Sequence, residues 1–192
     1  VSRFFDRHRE DGTLIFVDPA MADNGALYKG FTPEFARAMG TVVCSKADII
    51  DPNITEAAFM LGAEYKEDGT YDEDYVRDLL QGLVALGPKK AVLTGVSLEP
   101  GRCGVYGLDG QTGEYFSYFN ELVDARFHGT GDVFSSTTVG ALLNGFSLDK
   151  ALAVAADYTV ACIKETISHP DHNWYGVDFE TEIPYLLKLI GK

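Results

Sequence analysis

The sequence is poor in basic residues and has no long apolar run. Lysine and arginine number 16 against 29 aspartates and glutamates, which leaves a formal net charge of −13. A nucleic-acid-binding protein needs a basic surface that displaces counterions, so this balance argues against that class. No stretch approaches the roughly 18 consecutive apolar residues that indicate a transmembrane helix. With 46% hydrophobic and 23% charged residues, the composition is that of a globular protein.

Cysteine is scarce and unpatterned. Cys44, Cys103 and Cys162 are odd in number, far apart, and form no Cys-x-x-Cys pair. This argues against both a disulfide framework and a zinc site, and is typical of reduced cytosolic thiols. The first residues also do not resemble a secretory signal peptide. We therefore expect a cytoplasmic protein with neither a nucleic-acid nor a membrane partner.

Short apolar runs alternate with helical patterns along the chain. Strands are predicted at residues 13–17, 47–50 and 91–94, and helices at residues 32–43, 55–61, 72–86, 147–163 and 181–189. Residues 104–108 and 114–119 flank an Asp-Gly pair and predict an antiparallel hairpin. This order predicts an α/β fold with a mainly parallel sheet flanked by helices, and the hairpin as an antiparallel edge.

The remaining segments complete the expected organisation. Residues 18–30 are rich in Asp, Asn and Gly and predict a loop, and Phe35, Met39 and Val42 or Val43 would give the next helix an apolar face. We find no repeat or linker, so a single domain over residues 1–192 is expected. The chain begins inside a predicted helix, and we expect it to be N-terminally incomplete.

The strongest local signal is the segment at residues 128–132, His-Gly-Thr-Gly-Asp, which opens a helix that runs to about residue 144. Its glycines allow successive N–H groups to point outward at the helix N-terminus, where the helix dipole stabilises an anion. Phosphoryl transfer needs such a place for the charge of the migrating group. Asp132 is placed to take a proton from an attacking hydroxyl. From these residues alone, a glycine-rich turn with a dipole-compensating aspartate is an equally good interpretation.

Two further loops carry carboxylates directly after predicted strands. Asp18 and Asp23 follow the strand at residues 13–17, and Asp51 and Glu56 follow the strand at residues 47–50. Open α/β sheets bind ligands at the carboxyl ends of their strands. Magnesium takes one or two carboxylates together with phosphate oxygens and waters. Each carboxylate alone is explained as a turn or cap residue, so the combination with residues 129–132 is what indicates a phosphate and magnesium site.

The chain resembles the pyridoxal/pyridoxamine kinases of the ribokinase-like superfamily. The matching segments are Asp18-Pro19 with Asp23, residues 47–57, the strand that ends at Thr94, and residues 129–132. Their order and spacing make the resemblance specific, and it runs over essentially the whole chain. The resemblance implies a ribokinase-like fold of which this chain is the C-terminal part, without the N-terminal strands that hold the pyridine ring.

The resemblance also implies a role for each residue of the glycine-rich turn. Asp132 would be the catalytic base that activates the 5′-hydroxymethyl group of pyridoxal, pyridoxine or pyridoxamine. The N–H groups of Gly129, Thr130 and Gly131 would form the anion hole. The implied reaction is therefore an ATP-dependent phosphorylation of vitamin B6 by a phosphotransferase with an alcohol acceptor.

For ATP and its cations, the resemblance implies a second group of residues. Asn53 and Thr94 would lie at the ATP phosphates, and Val123 near the adenine. Glu56 would help to hold Mg²⁺ through water and belong to the nucleotide site. The residues implied for the metal are Asp18, Asp23 and Glu56. A K⁺-like cation and a homodimeric assembly are also expected of this family.

Two alternatives stay open. One is a hydroxymethylpyrimidine kinase of thiamine synthesis, which has the same fold. Those enzymes often have cysteine at the position of Asp132, which favours the B6 interpretation. The other is a non-catalytic nucleotide-binding fragment that folds only with further strands or a partner.

Overall fold

The computed structural model describes residues 1–125, 127–172 and 175–192. Its strands are β1 (Phe16–Val17), β2 (Ala22–Asp23), β3 (Ala26–Leu27), β4 (Ile49–Ile50), β5 (Lys90–Val96), β6 (Arg102–Asp109) and β7 (Tyr115–Glu121). Its helices are α1 (Ser2–His8), α2 (Pro33–Ala38), α3 (Ile54–Leu61), α4 (Glu73–Ala85), α5 (Thr130–Leu143), α6 (Leu148–Ser168) and α7 (Ile183–Leu189).

Five strands form one sheet in the order β1-β4-β5-β6-β7. β4 pairs in parallel with β1, with Val17 opposite Ile50, and in parallel with β5, with Ile50 opposite Ala91. These strands are apolar because both faces are covered, and Ile50, Val92 and Leu93 are fully buried. β6 and β7 form a hairpin whose turn is closed by the bond from the Asp109 N–H to the Glu114 carbonyl. The predicted α/β class, parallel with a hairpin edge, is confirmed.

The chain divides into two compact units. Unit 1 comprises Val1–Pro100 and Val105–Ser117, and unit 2 comprises Gly101–Gly104 and Tyr118–Lys192. Unit 1 contains the parallel strands with α1 to α4, and unit 2 contains α5 to α7. The single domain predicted over residues 1–192 stays a prediction.

Helix ends follow the local chemistry of the sequence. The Thr32 hydroxyl accepts the N–H of Phe35 at 3.3 Å, and the Asp72 carboxylate accepts that of Tyr75 at 3.0 Å, so both residues cap the helices that follow them. α3 ends at Gly62, whose φ of +65° belongs to the left-handed region that glycine adopts without strain. These starts and stops agree with the sequence-based expectations.

Two local expectations were wrong. Residues 18–30 are not only a loop, since β2 and β3 form an antiparallel ladder within them. The apolar face expected from Phe35, Met39 and Val42 or Val43 is also not a buried stripe, because Phe35 and Val42 are 38% and 49% exposed and Met39 and Val43 are only half-buried. α2 stops at Ala38, and the chain continues in a π-helical turn over Met39–Val43 and a 3₁₀ turn over Cys44–Lys46. The change of helical period breaks the stripe that a continuous α-helix would present.

Within the described ranges, no helix is both long and apolar enough to cross a membrane. All three cysteines are free thiols, with Cys44 and Cys162 buried and Cys103 partly exposed.

Candidate active site

In unit 1, the loops after β1 and β4 lie at one edge of the sheet, next to the C-terminal part of β5. Because β1 and β4 run in parallel and in register, Asp18 and Asp51 leave the sheet on the same side. The N–H of Asp51 donates to the carbonyl of Val17 at 3.2 Å. Further along, Asn53 forms a parallel bridge with Thr94. The structure therefore brings together Asn53 and Thr94, two of the residues predicted for the ATP phosphates.

Asn53 and Glu56 form a reciprocal cap at the start of α3. The side-chain oxygen of Asn53 accepts the N–H of Glu56 at 2.8 Å, and Glu56 Oε2 accepts the N–H of Asn53 at 2.9 Å. This capping box satisfies two N–H groups that a helix leaves without internal acceptors. The Asn53 Nδ2 atom also donates to the carbonyl of Ala22 at 2.9 Å. Both polar atoms of the Asn53 side chain therefore serve the backbone.

The second oxygen of Glu56 reaches the segment that follows β1. Oε1 accepts the N–H of Met21 at 2.9 Å and that of Ala22 at 3.4 Å. Only 3% of Glu56 is exposed, and its burial, with repulsion from Asp18, raises the pKa of its carboxyl from 4.5 to about 7 against the lowering effect of the backbone N–H groups. Glu56 is thus a buried carboxyl group whose two oxygens both receive backbone donors.

The carboxylates predicted for the metal lie in different surroundings. Asp18 is half-buried and close enough to Glu56 to repel its charge. Asp23 is exposed, and its oxygens accept the backbone and side-chain N–H groups of Asn24, each at 2.8 Å. Across the parts of the chain that the structure describes, no three His, Cys, Asp or Glu side chains are grouped to hold a metal ion. The oxygen donors suit Mg²⁺, but phosphates and water would have to complete its shell.

The hairpin of β2 and β3 is fixed to the same corner. Its two-residue turn has φ of +50° at Asn24 and +76° at Gly25, values close to a type I′ turn. The N–H of Gly25 donates to the Thr55 hydroxyl at 3.1 Å, and a Cβ on Gly25 would lie 2.8 Å from the ring of Tyr65. Sequence reasoning missed this hairpin, although the Asn-Gly dipeptide is a strong turn signal.

In unit 2, the glycine-rich turn stands at the N-terminus of α5. Gly129 is the N-cap, with φ of +84°, and among the described residues no side-chain hydrogen bond caps this end. The first hydrogen bond of the helix runs from the N–H of Val133 to the carbonyl of Gly129 at 3.0 Å. The N–H groups of Thr130, Gly131 and Asp132 therefore have no acceptor within the helix. Such free N–H groups at a helix N-terminus can bind an anion, and the anion hole predicted from Gly129, Thr130 and Gly131 stays a prediction.

Hydrophobic residues on both sides hold this turn in place. Phe127 and Val133 pack against a buried cluster that includes Tyr158 and Cys162 of α6 and Val177. Because the residues before and after the turn are anchored, the orientation of the first turn of α5 is determined by the core of unit 2.

Asp132 is exposed and lines a cavity of about 480 Å³ within unit 2. Ser136 and Thr137 of α5 and Tyr158 of α6 share this cavity, with apolar side chains of α7. Sequence reasoning missed the cavity, because residues that far apart in the chain carry no common pattern. Val123, predicted near the adenine, is half-buried and does not line it. The catalytic role of Asp132 and the adenine contact of Val123 stay predictions.

Comparison with known proteins identifies the kind of chain to which these features belong. Residues 3–175 match the family model described as phosphomethylpyrimidine kinase. A pyridoxine kinase of Bacillus subtilis is 31% identical over 167 residues, which are 84% of this chain. A candidate phosphomethylpyrimidine kinase of Bacteroides thetaiotaomicron, solved in a form with pyridoxal, is 32% identical over 96% of this chain, with a TM-score of 0.88. The pyridoxal kinase of Lactobacillus plantarum is 30% identical over 92% of this chain, with a TM-score of 0.77.

The similarity covers only part of each relative. The chain spans 57% of the Bacillus subtilis protein, 64% of the Bacteroides chain and 62% of the Lactobacillus chain. It is thus similar to little more than half of each of these proteins.

Proposed function

Because the chain belongs to the phosphomethylpyrimidine kinase family, we propose that it transfers a phosphoryl group from ATP to the 5′-hydroxymethyl group of pyridoxal, pyridoxine or pyridoxamine. The observation that carries this proposal is the N-terminus of α5, which presents Asp132 in its first turn, three residues after the left-handed Gly129. The relatives named pyridoxine kinase and pyridoxal kinase support the choice of acceptor.

In this reaction Asp132 accepts the proton of the attacking hydroxyl group. The N–H groups of Gly129, Thr130 and Gly131 stabilise the charge on the transferring phosphoryl group. Preorganised backbone donors of this kind do not have to reorient during the reaction, which makes them effective at stabilising a transition state. A protein with a net charge of −13 needs such local donors, because its overall field repels a polyanion such as ATP.

The residues of unit 1 serve the nucleotide and its cations in this proposal. Asn53 and Thr94 lie at the ATP phosphates. Thr94 offers its hydroxyl group, because its backbone N–H and both the N–H and the side chain of Asn53 are engaged within the protein. Asp18 and Asp23 provide oxygens for Mg²⁺ or a K⁺-like ion. A bound Mg²⁺ supplies neutralisation of phosphate charge. From unit 2, Val123 contacts the adenine in this proposal.

We also propose a homodimeric, cytoplasmic protein, as expected from the family resemblance. Sedimentation velocity over a concentration range tests the dimer. A single species at the monomer mass of 21.0 kDa at every concentration would contradict it.

Phosphorylation of hydroxymethylpyrimidine is the second candidate, favoured by the description of the matched family model. Asp132 stands where the pyrimidine kinases often have cysteine, which is why the B6 vitamers are placed first. A nucleotide-binding module without catalytic activity is the third candidate, since the chain spans little more than half of its relatives.

One assay separates the three candidates. The chain is incubated with Mg²⁺ and radiolabelled ATP in the presence of each B6 vitamer, of hydroxymethylpyrimidine, or of neither, and the phosphorylated product is identified. We expect label in the 5′-phosphate of at least one vitamer. Label only in the pyrimidine would favour the second candidate, and ATP binding without any transfer would favour the third.

A further inference from the structure

Glu56 makes the most specific set of contacts among the residues predicted for the metal. Its two oxygens receive three backbone N–H groups, from Met21, Ala22 and Asn53. The first two donors lie 35 and 34 residues earlier in the chain, so these bonds join the segment after β1 to the start of α3. A carboxylate buried to this degree is stabilised mainly by its hydrogen-bond donors.

The segment that Glu56 holds leads directly to the candidate cation residues. Met21 and Ala22 lie between Asp18 and Asp23, the two carboxylates proposed for the cation. The bond from Asn53 Nδ2 to the Ala22 carbonyl and the bond from the Gly25 N–H to the Thr55 hydroxyl fix the same segment to the same helix turn. The first turn of α3 therefore provides several anchors for the residues from Met21 to the hairpin turn.

We propose that Glu56 is a positioning residue, which orients the segment bearing Asp18 and Asp23 through the N–H groups of Met21 and Ala22, and is not itself a ligand of the metal. The proposal rests on the proposed function, because that function is what calls for a cation at Asp18 and Asp23. The role of Glu56 in holding the segment can be measured without any catalytic activity.

The chemistry of the two roles separates two conservative variants. Backbone N–H groups need an oxygen at the right distance. The glutamine of Glu56→Gln keeps one oxygen, which can accept the N–H groups of Met21 and Ala22, but it loses the charge and the second acceptor, which serves the N–H of Asn53. A Mg²⁺ site needs the charge, which Glu56→Asp keeps while its shorter side chain withdraws from Met21. A positioning role thus predicts greater damage from Glu56→Asp, and a metal role predicts greater damage from Glu56→Gln.

Hydrogen exchange of the full chain, measured by NMR in the absence of nucleotide, is the first readout. We expect the amides of Met21 and Ala22 to lose at least about tenfold of their protection in Glu56→Asp, but less than about threefold in Glu56→Gln. Thr55→Val is a second variant that leaves Glu56 intact, and it should expose the Gly25 amide while leaving Met21 protected. Equal protection of Met21 in the wild type and in Glu56→Asp would overturn the proposal.

The Mg²⁺ concentration that gives half-maximal ATP binding is the second readout. We expect it to change by less than about threefold in Glu56→Gln, with Glu64→Gln as an exposed control. An increase of about tenfold or more in Glu56→Gln alone, with Met21 still protected, would show that Glu56 is a metal ligand and would overturn the proposal. Failure to phosphorylate any acceptor would contradict the proposed function but would leave the exchange result intact.

Discussion

The carboxylate of Asp48 accepts the backbone N–H of Ile15 at 2.8 Å, although the two residues are 33 positions apart. The other oxygen of Asp48 pairs with Arg9 and Lys89, each at 2.8 Å. In return, the Ile15 carbonyl accepts the N–H groups of Asp48 and Ile49. These bonds align the approach to β1 with β4, and that alignment determines where the chain leaves the sheet at Asp18.

We predict that Asp48→Asn lowers the free energy of unfolding by about 1–3 kcal/mol at neutral pH, since its amide nitrogen can no longer pair with the cations. Burial alone would raise the pKa of the Asp48 carboxyl, but Lys89, the Ile15 N–H and Arg9 outweigh it and hold the pKa below 3.8. Because the pKa of Asp48 is lower in the folded protein than in the unfolded chain, its carboxylate stabilises the fold at pH values above the unfolded-state pKa. This contribution disappears as the pH falls through the folded-state pKa. Urea unfolding should therefore show the effect of the variant shrinking below about pH 4.

Asp6→Asn is the matched control, because it removes an exposed pair with Lys46. Its effect should stay within about 1 kcal/mol. An equal loss in both variants would mean that the bond to Ile15 adds nothing to an ordinary surface ion pair.

Glu56 should make stability depend on pH in the opposite direction. Burial and the nearby Asp18 raise the pKa of its carboxyl from 4.5 to about 7, so the folded protein binds a proton more tightly there than the unfolded chain. The contribution of Glu56 to stability is largest at pH values below its unfolded-state pKa. It falls by about 3 kcal/mol as the pH rises through its folded-state pKa. Glu56→Gln has no titrating group at this position and should lack this dependence.

The measurement is the difference in unfolding free energy between wild type and Glu56→Gln at about pH 5 and about pH 8. We expect the wild type to lose stability relative to the variant as the pH rises. A difference that is the same at both pH values would mean that the pKa of Glu56 is not raised.

Local patterns in the sequence predicted most of the fold, because they depend on neighbouring residues. Alternating apolar runs predicted the parallel sheet, and Thr32, Asp72 and Gly62 predicted the helix ends. The glycine-rich segment likewise predicted that a helix begins there, and α5 starts at Thr130 with Gly129 as its N-cap.

Contacts over long sequence distances could not be predicted in this way. Nothing in the spacing of Glu56 indicates that its oxygens accept the N–H groups of Met21 and Ala22, since backbone donors are identical at every non-proline position. After Ala38 the chain also leaves the α-helical period and forms a π-helical turn, which local helix propensity does not indicate. The candidate site therefore follows from the sequence in its residue types, but its hydrogen bonds required the structure.

Gly129→Ala should both destabilise the protein and disturb the first turn of α5. A side chain at φ of +84° costs about 1–2 kcal/mol, and the added Cβ would stand 4.0 Å from Asp132 Oδ2. Gly131→Ala is the matched control for stability, because its Cβ would meet no described atom within 4 Å and its φ is not positive. This control should be neutral or more stable by up to about 1 kcal/mol, since alanine is the better helix former. Thermal unfolding of the two variants tests the difference, and equal midpoints would contradict the left-handed turn.

Asp132→Asn tests the proposal that Asp132 is the catalytic base, once phosphoryl transfer to an acceptor has been measured. Asparagine has nearly the same shape and cannot accept the proton of the hydroxyl, so kcat should fall by about 10²–10⁴-fold while the KM for ATP changes by less than about threefold. Asp149→Asn is the matched control, since Asp149 also lies in the first turn of a helix, α6, and should leave kcat within about twofold. A turnover by Asp132→Asn within a few-fold of wild type would mean that another group takes the proton. Loss of ATP binding in the same variant, rather than of kcat, would place Asp132 at the nucleotide instead of at the reacting hydroxyl.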